Sequence, residues 1–429
     1  MTASVLDSVT FTYQPVWNAQ RTLGAVALHV RPLVRKDVPE GPLDARHLLD
    51  EMRDRLPHDA PPVLLVAQTA RMLVELLDTV EPPPAARAPV FATSGFFAPT
   101  VVVAAGLLER NADVAAAVRR AARRGLPLVW QGSTDRPPAE DIKTCFQRYW
   151  LTLPPPWAAA ALQDAMRPVP PGDRPPPGRL PAGHIFGGIE NRTLMEYCLD
   201  RCGAVGIAGW PAEDVVYSLR HTPSEPDHAV VLATLKALES DRSAEAVQDL
   251  MAHDPLLVYR FLIFANSPGL GLRNGVESVR HGMMMLGFDT LRSWLGEQLP
   301  HASREAALQP IKAQTVIRAR LMDRLIDAGV EDTLRREVTM CGLFSGLDLL
   351  LDEPLATILA RLPVSGRVRE SLVQRTGPYA GELAITIALE SPDTDALRKL
   401  CDRHDMEAGD VNRALLDVVG GLQTGSATV

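Results

Sequence analysis

The sequence predicts an α/β domain followed by an all-α domain within a chain of 429 residues. Up to about residue 220, short apolar runs with strand character alternate with amphipathic helical stretches, a pattern typical of βα units. Beyond residue 222 the strand signals end and only helical periodicity continues. Because Pro223 and Pro226 interrupt the periodicity at this change, we place the α/β domain at 1–220, the all-α domain at 227–416 and a flexible tail at 417–429.

The α/β half follows from its elements taken in order. Strand-like apolar runs occupy residues 63–66, 89–91, 126–130, 150–153 and 205–210. Between them, segments 71–80 and 113–124 place their apolar residues on one helical face, and Gly125 follows the second segment as a C-terminal cap would. The alternation predicts a largely parallel sheet or a barrel. A proline-rich stretch at 167–180 is interpreted as a stiff surface loop inside this domain.

The second half consists of a series of amphipathic segments that predict helices. They cover residues 230–238, 244–251, 256–265, 276–286, 311–328, 334–351, 355–362, 368–373 and 381–389. Asp254 followed by Pro255 is typical of a helix start, because aspartate caps the first turn and proline fits the first helical position. The three methionines at 283–285 are predicted to fill gaps in the core, with the lining of a groove as the alternative.

Charge and composition argue against several classes of protein. Residues 1–220 hold 23 basic and 23 acidic side chains, so the whole net charge of −8 lies in the second half. Nucleic-acid binding usually needs a basic surface and is therefore not expected. The longest nearly pure apolar run, 98–108, is too short for a bilayer span. Because the N-terminus shows no signal-peptide pattern and the five cysteines form no Cys-x-x-Cys motif, we expect a cytoplasmic protein without a membrane partner.

His253 and Asp254 form the dipeptide that most invites a metal interpretation. In phosphohydrolases, such pairs share a metal with further His and Asp ligands on neighbouring helices. The nearest downstream histidines, His281 and His301, do not lie in a comparable setting. Asp254 is also needed as a helix cap. We therefore expect no metal at this pair.

Short motifs in the second half resemble the signature of HDOD domains. In order, they are DPLL at 254–257, FL at 261–262, ANS at 265–267, VESV at 276–279, LG at 286–287, GLFSGLDLL at 342–350 and a segment at 358–363. The resemblance runs from about residue 227 to residue 416. HDOD domains are helical relatives of the HD phosphohydrolases that lack the metal-binding set. The resemblance therefore implies a helical bundle that acts as a regulatory or protein-interaction module.

The later HDOD motifs look like those of HDOD domains that follow an EAL-type domain, and the first half resembles a degenerate EAL domain. The motifs that carry this resemblance are QPV at 14–16, ALHVR at 27–31, LVWQG at 128–132, IEN at 189–191 and IAGW at 207–210. In the family they correspond to Gln-Pro-Ile, Glu-x-Leu-x-Arg, the region of paired aspartates, Val-Glu-Thr and Gln-Gly-Tyr. The resemblance implies a TIM-like barrel in residues 1–220.

Several of the family's functional positions are replaced in this sequence. Arg31 matches the arginine of the second motif, but Ala27 stands in place of its metal-ligand glutamate. Residues 128–132 contain neither of the paired aspartates, and Ala208 replaces the late glutamine. Glu190 is the acidic position that the resemblance keeps. Arg31 is therefore the candidate ligand-binding residue, and the resemblance implies no catalytic residue, metal or cofactor.

EAL domains hydrolyse cyclic di-GMP with divalent metals, which activate a water for attack on phosphorus. The replaced positions predict a pseudoenzyme, that is, a non-catalytic bacterial signal-transduction protein. In the leading hypothesis, the HDOD domain binds a protein partner of a signalling pathway. The alternatives are a receptor that binds cyclic di-GMP without hydrolysing it, and an active cyclic di-GMP phosphodiesterase.

Overall fold

Two compact units make up the chain in a computed structural model that describes residues 4–33, 44–83, 99–167, 178–271, 275–326 and 332–423. The barrel unit comprises residues 1–211 and 387–425, and the helical unit comprises residues 212–386. The strand predicted at 89–91 lies outside the described residues. Within the described residues, no helix combines the length and the apolarity that a membrane span requires.

The barrel unit is built on eight strands that close into a barrel in chain order. They are β1 (Val9–Trp17), β2 (Leu23–Pro32), β3 (Val63–Ala67), β4 (Thr100–Ala104), β5 (Leu128–Ser133), β6 (Arg148–Thr152), β7 (Ile185–Gly187) and β8 (Gly206–Ala208). Strand β1 runs antiparallel to both β2 and β8. All pairings from β2 to β8 are parallel. The predicted α/β class is confirmed, and of the sheet and barrel alternatives the barrel is observed.

Helices and short turns connect the strands on the outside of this barrel. They are α1 (Ala45–Arg55), α2 (Ala70–Thr79), α3 (Ala105–Arg110), α4 (Ala112–Arg123), α5 (Glu140–Lys143), α6 (Pro155–Ala165) and α7 (Arg192–Glu196), with a π turn at Tyr197–Arg201. A 3-10 turn at Val5–Ser8 precedes β1. In α4, Val114, Ala117 and Val118 are fully buried, as the helical periodicity of this segment predicts.

The helical unit contains twelve α-helices within its described residues. They are α8 (Ala212–Leu219), α9 (His228–Glu239), α10 (Ala244–Met251), α11 (Pro255–Ala265), α12 (Val279–Leu286), α13 (Phe288–Gln298), α14 (Gln309–Leu325), α15 (Asp332–Phe344), α16 (Leu347–Leu351), α17 (Leu355–Leu359), α18 (Gly366–Arg369) and α19 (Ala380–Leu389), the last of which ends beyond the unit boundary. Short turns lie at Pro268–Leu270, Ala306–Leu308 and Glu370–Gln374. In the described part of this unit, β-pairing is limited to one isolated bridge between Asp227 and Ser303, so the prediction of an all-α class is confirmed.

The last two helices of the described residues belong to the barrel unit. Helix α20 (Thr394–His404) and helix α21 (Ala408–Gly420) follow α19, and both fall within the residues that cluster with the barrel. The sequence-based bounds differ from this division, because they assign residues up to 416 to the helical domain. Of the tail predicted at 417–429, residues 417–420 lie in α21 and residues 424–429 lie outside the described residues.

Asn412 of α21 joins the C-terminal helices to the start of β1. Strand β8 pairs with β1 at Val16 and Trp17, which leaves the earlier residues of that edge without strand partners in the described barrel. The Asn412 side chain lies at this edge. Its Oδ1 accepts a hydrogen bond from the backbone of Phe11 at 2.9 Å, and its Nδ2 donates to the carbonyls of Leu6 and Val9 at 2.8 Å each.

Three further contacts fix α21 against the barrel unit. Arg413 pairs with Asp7 at 3.2 Å, and Asp417 pairs with Arg55 at 2.7 Å. At Gly409 the approach is so close that a Cβ atom would lie 1.8 Å from Oδ1 of Asp7. A side chain at position 409 would therefore displace the Asp7 carboxylate, which pairs with Arg413.

We expect Asn412→Ala to lower the free energy of unfolding of the barrel unit by about 2–4 kcal/mol, because it leaves buried backbone groups without partners. Urea denaturation followed by tryptophan fluorescence measures this loss well, since five of the six tryptophans lie in residues 1–211. The control is Asp402→Ala, which removes an exposed side chain from α20. Equal stabilities of the two variants would contradict the prediction.

Candidate functional site

The interior of the barrel is lined by an apolar layer to which every strand contributes. Its residues are Val16, Ala25, Ala27, Leu64, Val66, Val102, Val129, Trp150, Ile185 and Ala208. Because side chains alternate between the two faces of a strand, residues two and four positions along each strand point to the same interior. In (β/α)8 barrels the active sites lie at the carboxyl ends of the parallel strands. That end of β2–β8 is therefore the candidate site.

The site positions that the sequence predicts lie in different parts of this barrel. Ala27 and Ala208 both lie within the apolar layer, at 0% and 3% exposure. Trp130 faces outward, since its neighbour Val129 faces inward, and its ring meets Tyr149 edge-on. Glu190 is exposed beyond the end of β7. Among the residues that the structure describes, no group of three or more His, Cys, Asp or Glu side chains is arranged to hold a metal.

Arg31 lies at the carboxyl end of β2, on the same face as Ala27. Its Nη1 atom is 2.5 Å from Oδ2 of Asp395, the second residue of α20. The side chains of Arg31 and Asp395 retain 41% and 44% of their exposure, so solvent screens this ion pair. The one ligand-binding candidate of the sequence is thus in contact with a carboxylate of the same chain.

Gln68 extends this contact to the carboxyl end of β3. Its backbone amide donates to the carbonyl of Val30 at 3.0 Å, which continues the parallel pairing beyond the strand. Its side-chain Nε2 donates to the carbonyl of Pro392 at 2.6 Å, and its Oε1 accepts from the hydroxyl of Thr394 at 2.6 Å. Together with the Arg31 pair, these bonds hold the first turn of α20 at the ends of β2 and β3.

Buried polar side chains face the barrel interior next to Arg31, among them His29 and Thr12. His29 lies between Ala27 and Arg31 on the inward face of β2, and Thr12 is its partner across β1 and β2. They are 4% and 0% exposed. Within the described residues, neither Nε2 of His29 nor Oγ1 of Thr12 has a hydrogen-bond partner. Burial lowers the pKa of His29 to about 4, so its imidazole is neutral at pH 7.

Sequence reasoning found Arg31 but missed the residues around it. His29 could have been found, because residues 27, 29 and 31 share one face of a strand. Gln68, Thr394 and Asp395 carry no local signal that relates them to β2.

Asp254 of the helical unit is held in a buried hydrogen-bond network. The residue is fully buried, and its Oδ1 accepts from the amides of Leu256 and Leu257, which caps α11 as predicted. Its Oδ2 accepts from Nζ of Lys312 at 2.7 Å and from the amide of Asp227. Four donors fill the hydrogen-bonding capacity of a carboxylate. The carboxylate therefore stabilises the junction of α9, α11 and α14.

His253 has a different environment from a typical metal ligand. Its Nε2 lies 3.1 Å from a guanidinium nitrogen of Arg320. Burial, and then the charge of Arg320, lower the pKa of His253. A neutral imidazole facing a cation accepts a hydrogen bond from it, so Nε2 is already used as an acceptor.

An HDOD domain is present in the helical half. Residues 223–344 match the family model of the HDOD domain, and the match begins where the sequence predicts the domain boundary. This finding confirms the HDOD part of the resemblance. The matching model does not extend to the barrel, whose relation to EAL domains stays a prediction.

Two curated relatives match parts of the chain. Cyclic di-GMP phosphodiesterase CdgJ of Vibrio cholerae serotype O1 is 24% identical over 195 residues, which is 45% of this chain and 45% of CdgJ. The protein YuxH of Bacillus subtilis strain 168 is 26% identical over 165 residues, 38% of this chain and 40% of YuxH. Each match thus spans less than half the length of the relative.

A solved structure is also similar to part of the chain. The MmoQ response regulator of Methylococcus capsulatus str. Bath is 22% identical, with a TM-score of 0.38, and the alignment covers 45% of this chain and 98% of that one.

The name of CdgJ contradicts the prediction that this chain is a pseudoenzyme. A relative at 24% identity is called a cyclic di-GMP phosphodiesterase, so the absence of enzymatic activity does not follow from the sequence. The prediction took the replacement of a few motif positions as the loss of the whole catalytic set. In barrel enzymes, however, catalytic groups come from the ends of several strands, and short motifs do not determine all of them.

The buried His29 is expected to make the barrel unit less stable in acid. Its pKa is about 4 in the folded state, against an ordinary 6.5, so the unfolded chain binds the extra proton first as the pH falls. Between pH 6.5 and pH 4 this costs about 3 kcal/mol of folding free energy. We expect His29→Leu to remove this part of the pH dependence in urea denaturation, and exposed His58→Leu to keep it. If the free energy of unfolding falls with pH equally in wild type and in His29→Leu, the prediction is wrong.

The buried pair of Lys312 and Asp254 gives a second prediction. Lys312→Met should destabilise the helical unit by about 3–5 kcal/mol, because it leaves the Asp254 carboxylate buried without its cation. The matched control is Lys236→Met on the exposed face of α9. Amide hydrogen exchange of residues 228–265 in increasing urea measures both. A loss no larger than that of the control would show that Asp254 does not depend on Lys312.

Proposed function

We propose that this chain is a signal-transduction protein whose HDOD domain acts as a regulatory protein-interaction module. The observation that carries the proposal is a group of three exposed apolar side chains within five residues of the chain: Met284, Met285 and Phe288 are 76%, 49% and 43% exposed. We call it the methionine patch. Exposed apolar side chains that cluster in this way mark interaction sites, and methionine adapts to different partner surfaces.

The local structure explains why these side chains are exposed. Val279, Gly282 and Met283 form the buried side of α12. Gly287, at a φ of +79°, then ends α12 and starts α13, a backbone conformation that glycine adopts without strain. Of the methionines predicted to fill the core, only Met283 is buried, and the other two face outward.

The methionine patch gives a test of partner binding. We expect Met284→Gln/Met285→Gln to lose the proteins that wild type captures from cells of the native organism, as quantified by mass spectrometry. Met166→Gln is the matched control, since Met166 is 74% exposed on the barrel unit. Both variants should fold normally, because the replaced side chains lie at the surface. Identical sets of captured proteins for the two variants would rule out the patch as the docking surface.

We also propose that the barrel is of the EAL type and binds cyclic di-GMP at the carboxyl ends of β2–β8. Three observations support this: the closed barrel with an antiparallel first strand, the inward-facing Arg31 in the family's motif position, and the relation to CdgJ. An arginine fork suits a phosphodiester, because it can donate two parallel hydrogen bonds to its oxygens. Hydrolysis of the bound nucleotide is a second candidate activity, favoured by the name of CdgJ, and release of product in the presence of Mn²⁺ distinguishes it from binding alone.

Arg31 provides the test of cyclic di-GMP binding. We expect isothermal titration calorimetry to show binding to wild type, and Arg31→Ala to weaken it at least about tenfold through the loss of a charged hydrogen bond. Arg46→Ala, on the exposed face of α1, is the control and should bind like wild type. If Arg31→Ala and Arg46→Ala bind equally, Arg31 does not contact the ligand.

A further inference from the structure

The first turn of α20 covers part of the candidate site. Asp395 pairs with Arg31, and Gln68 is hydrogen-bonded to both Pro392 and Thr394. These contacts all lie at the carboxyl ends of β2 and β3. A carboxylate and a phosphodiester present similar oxygens to a guanidinium group, so Asp395 offers Arg31 the kind of partner that an anionic ligand would offer.

The neighbourhood of this contact points independently to a polar ligand. His29 and Thr12 face the interior beside Arg31, and their buried Nε2 and Oγ1 atoms have no hydrogen-bond partner within the described residues. Buried polar atoms in native proteins nearly always have partners. A polar ligand that reaches past Arg31 into the barrel would supply them.

Helix α21 keeps the C-terminal segment attached when the first turn of α20 moves. Its anchor, Asn412, is 1% exposed and bonds three backbone groups of the barrel unit. In contrast, Arg31 and Asp395 are both more than one third exposed. The contact at Arg31 is therefore the weaker of the two attachments and can open by itself.

We propose that the first turn of α20 is a built-in competitor for the anion site at Arg31, so that ligand binding displaces Asp395. This inference rests on the proposed binding of cyclic di-GMP to the barrel. By thermodynamic linkage, ligand binding weakens the attachment of the first turn of α20 by the same free energy by which this turn lowers the affinity for the ligand. Because solvent screens the pair, the competition reduces affinity by about two- to fivefold.

Three variants of the full-length chain test the competition by calorimetry with cyclic di-GMP. Asp395→Asn should lower the Kd about two- to fivefold relative to wild type. Thr394→Val removes the hydroxyl that bonds Gln68 without changing the charge, and it should lower the Kd as well. Asp402→Asn makes the same change of charge as Asp395→Asn at an exposed position of α20, and its Kd should equal that of wild type.

Amide hydrogen exchange gives a readout that needs no ligand. Asp395→Asn should speed exchange in the first turn of α20 and leave α21 unchanged, whereas Asp402→Asn should change neither. Saturating cyclic di-GMP should speed the same amides in wild type.

The outcomes separate this inference from the proposed function. If cyclic di-GMP binds wild type and Asp395→Asn with the same Kd, or leaves exchange of α20 unchanged, the competition is overturned and binding by the barrel stands. If it binds neither wild type nor Asp395→Asn, the proposed function of the barrel is overturned, and the competition with it. Equal decreases of Kd in Asp395→Asn and Asp402→Asn would assign the effect to net charge and also overturn the competition.

Discussion

The barrel unit depends on how the free edge of β1 is satisfied. Strand β8 is only three residues long and pairs with the end of β1, so the backbone groups near Phe11 need other partners. An unpaired buried amide or carbonyl costs as much as a lost hydrogen bond. Asn412 supplies one acceptor and two donor bonds at this edge. Helix α21, the last helix of the described residues, thereby becomes part of the hydrogen-bonding environment of β1.

This arrangement also determines which residues surround the candidate site. Since α21 is fixed at β1, the preceding helix α20 begins at the carboxyl ends of β2 and β3. Asp395 then meets Arg31, while the interior below combines the apolar layer with polar side chains, among them His29, Thr12 and Gln14. The site thus combines a cation at its rim with neutral polar and apolar side chains beneath it, which suits an anionic ligand with polar and apolar parts.

The sequence predicts the two fold classes well and the long-range contacts not at all. The change from alternating runs to helical periodicity is local, and both halves have the predicted class. Strand β1 shows no alternation of apolar and polar residues that would predict it, because eight of its nine residues are buried, on both faces. The bonds of Arg31 to Asp395 and of Phe11 to Asn412 join residues 364 and 401 positions apart, and no local pattern encodes such pairs. The motifs are local in the same way, whereas the catalytic groups of a barrel come from the ends of several strands. Replaced motif positions therefore could not establish whether the barrel is catalytic.

The contacts of the two C-terminal helices differ in whether water can solvate their polar groups once the contact breaks. Asn412 satisfies backbone groups that water cannot reach, so breaking its bonds leaves them unpaired and costs the full desolvation energy. When Arg31 and Asp395 separate, water solvates both charges, because each is already partly exposed. The same segment is therefore anchored at α21 and adjustable at the first turn of α20. That ranking follows from the exposure of the Arg31 and Asp395 side chains compared with Asn412, and it makes this ion pair at the rim of the barrel the contact that a ligand can replace at least cost.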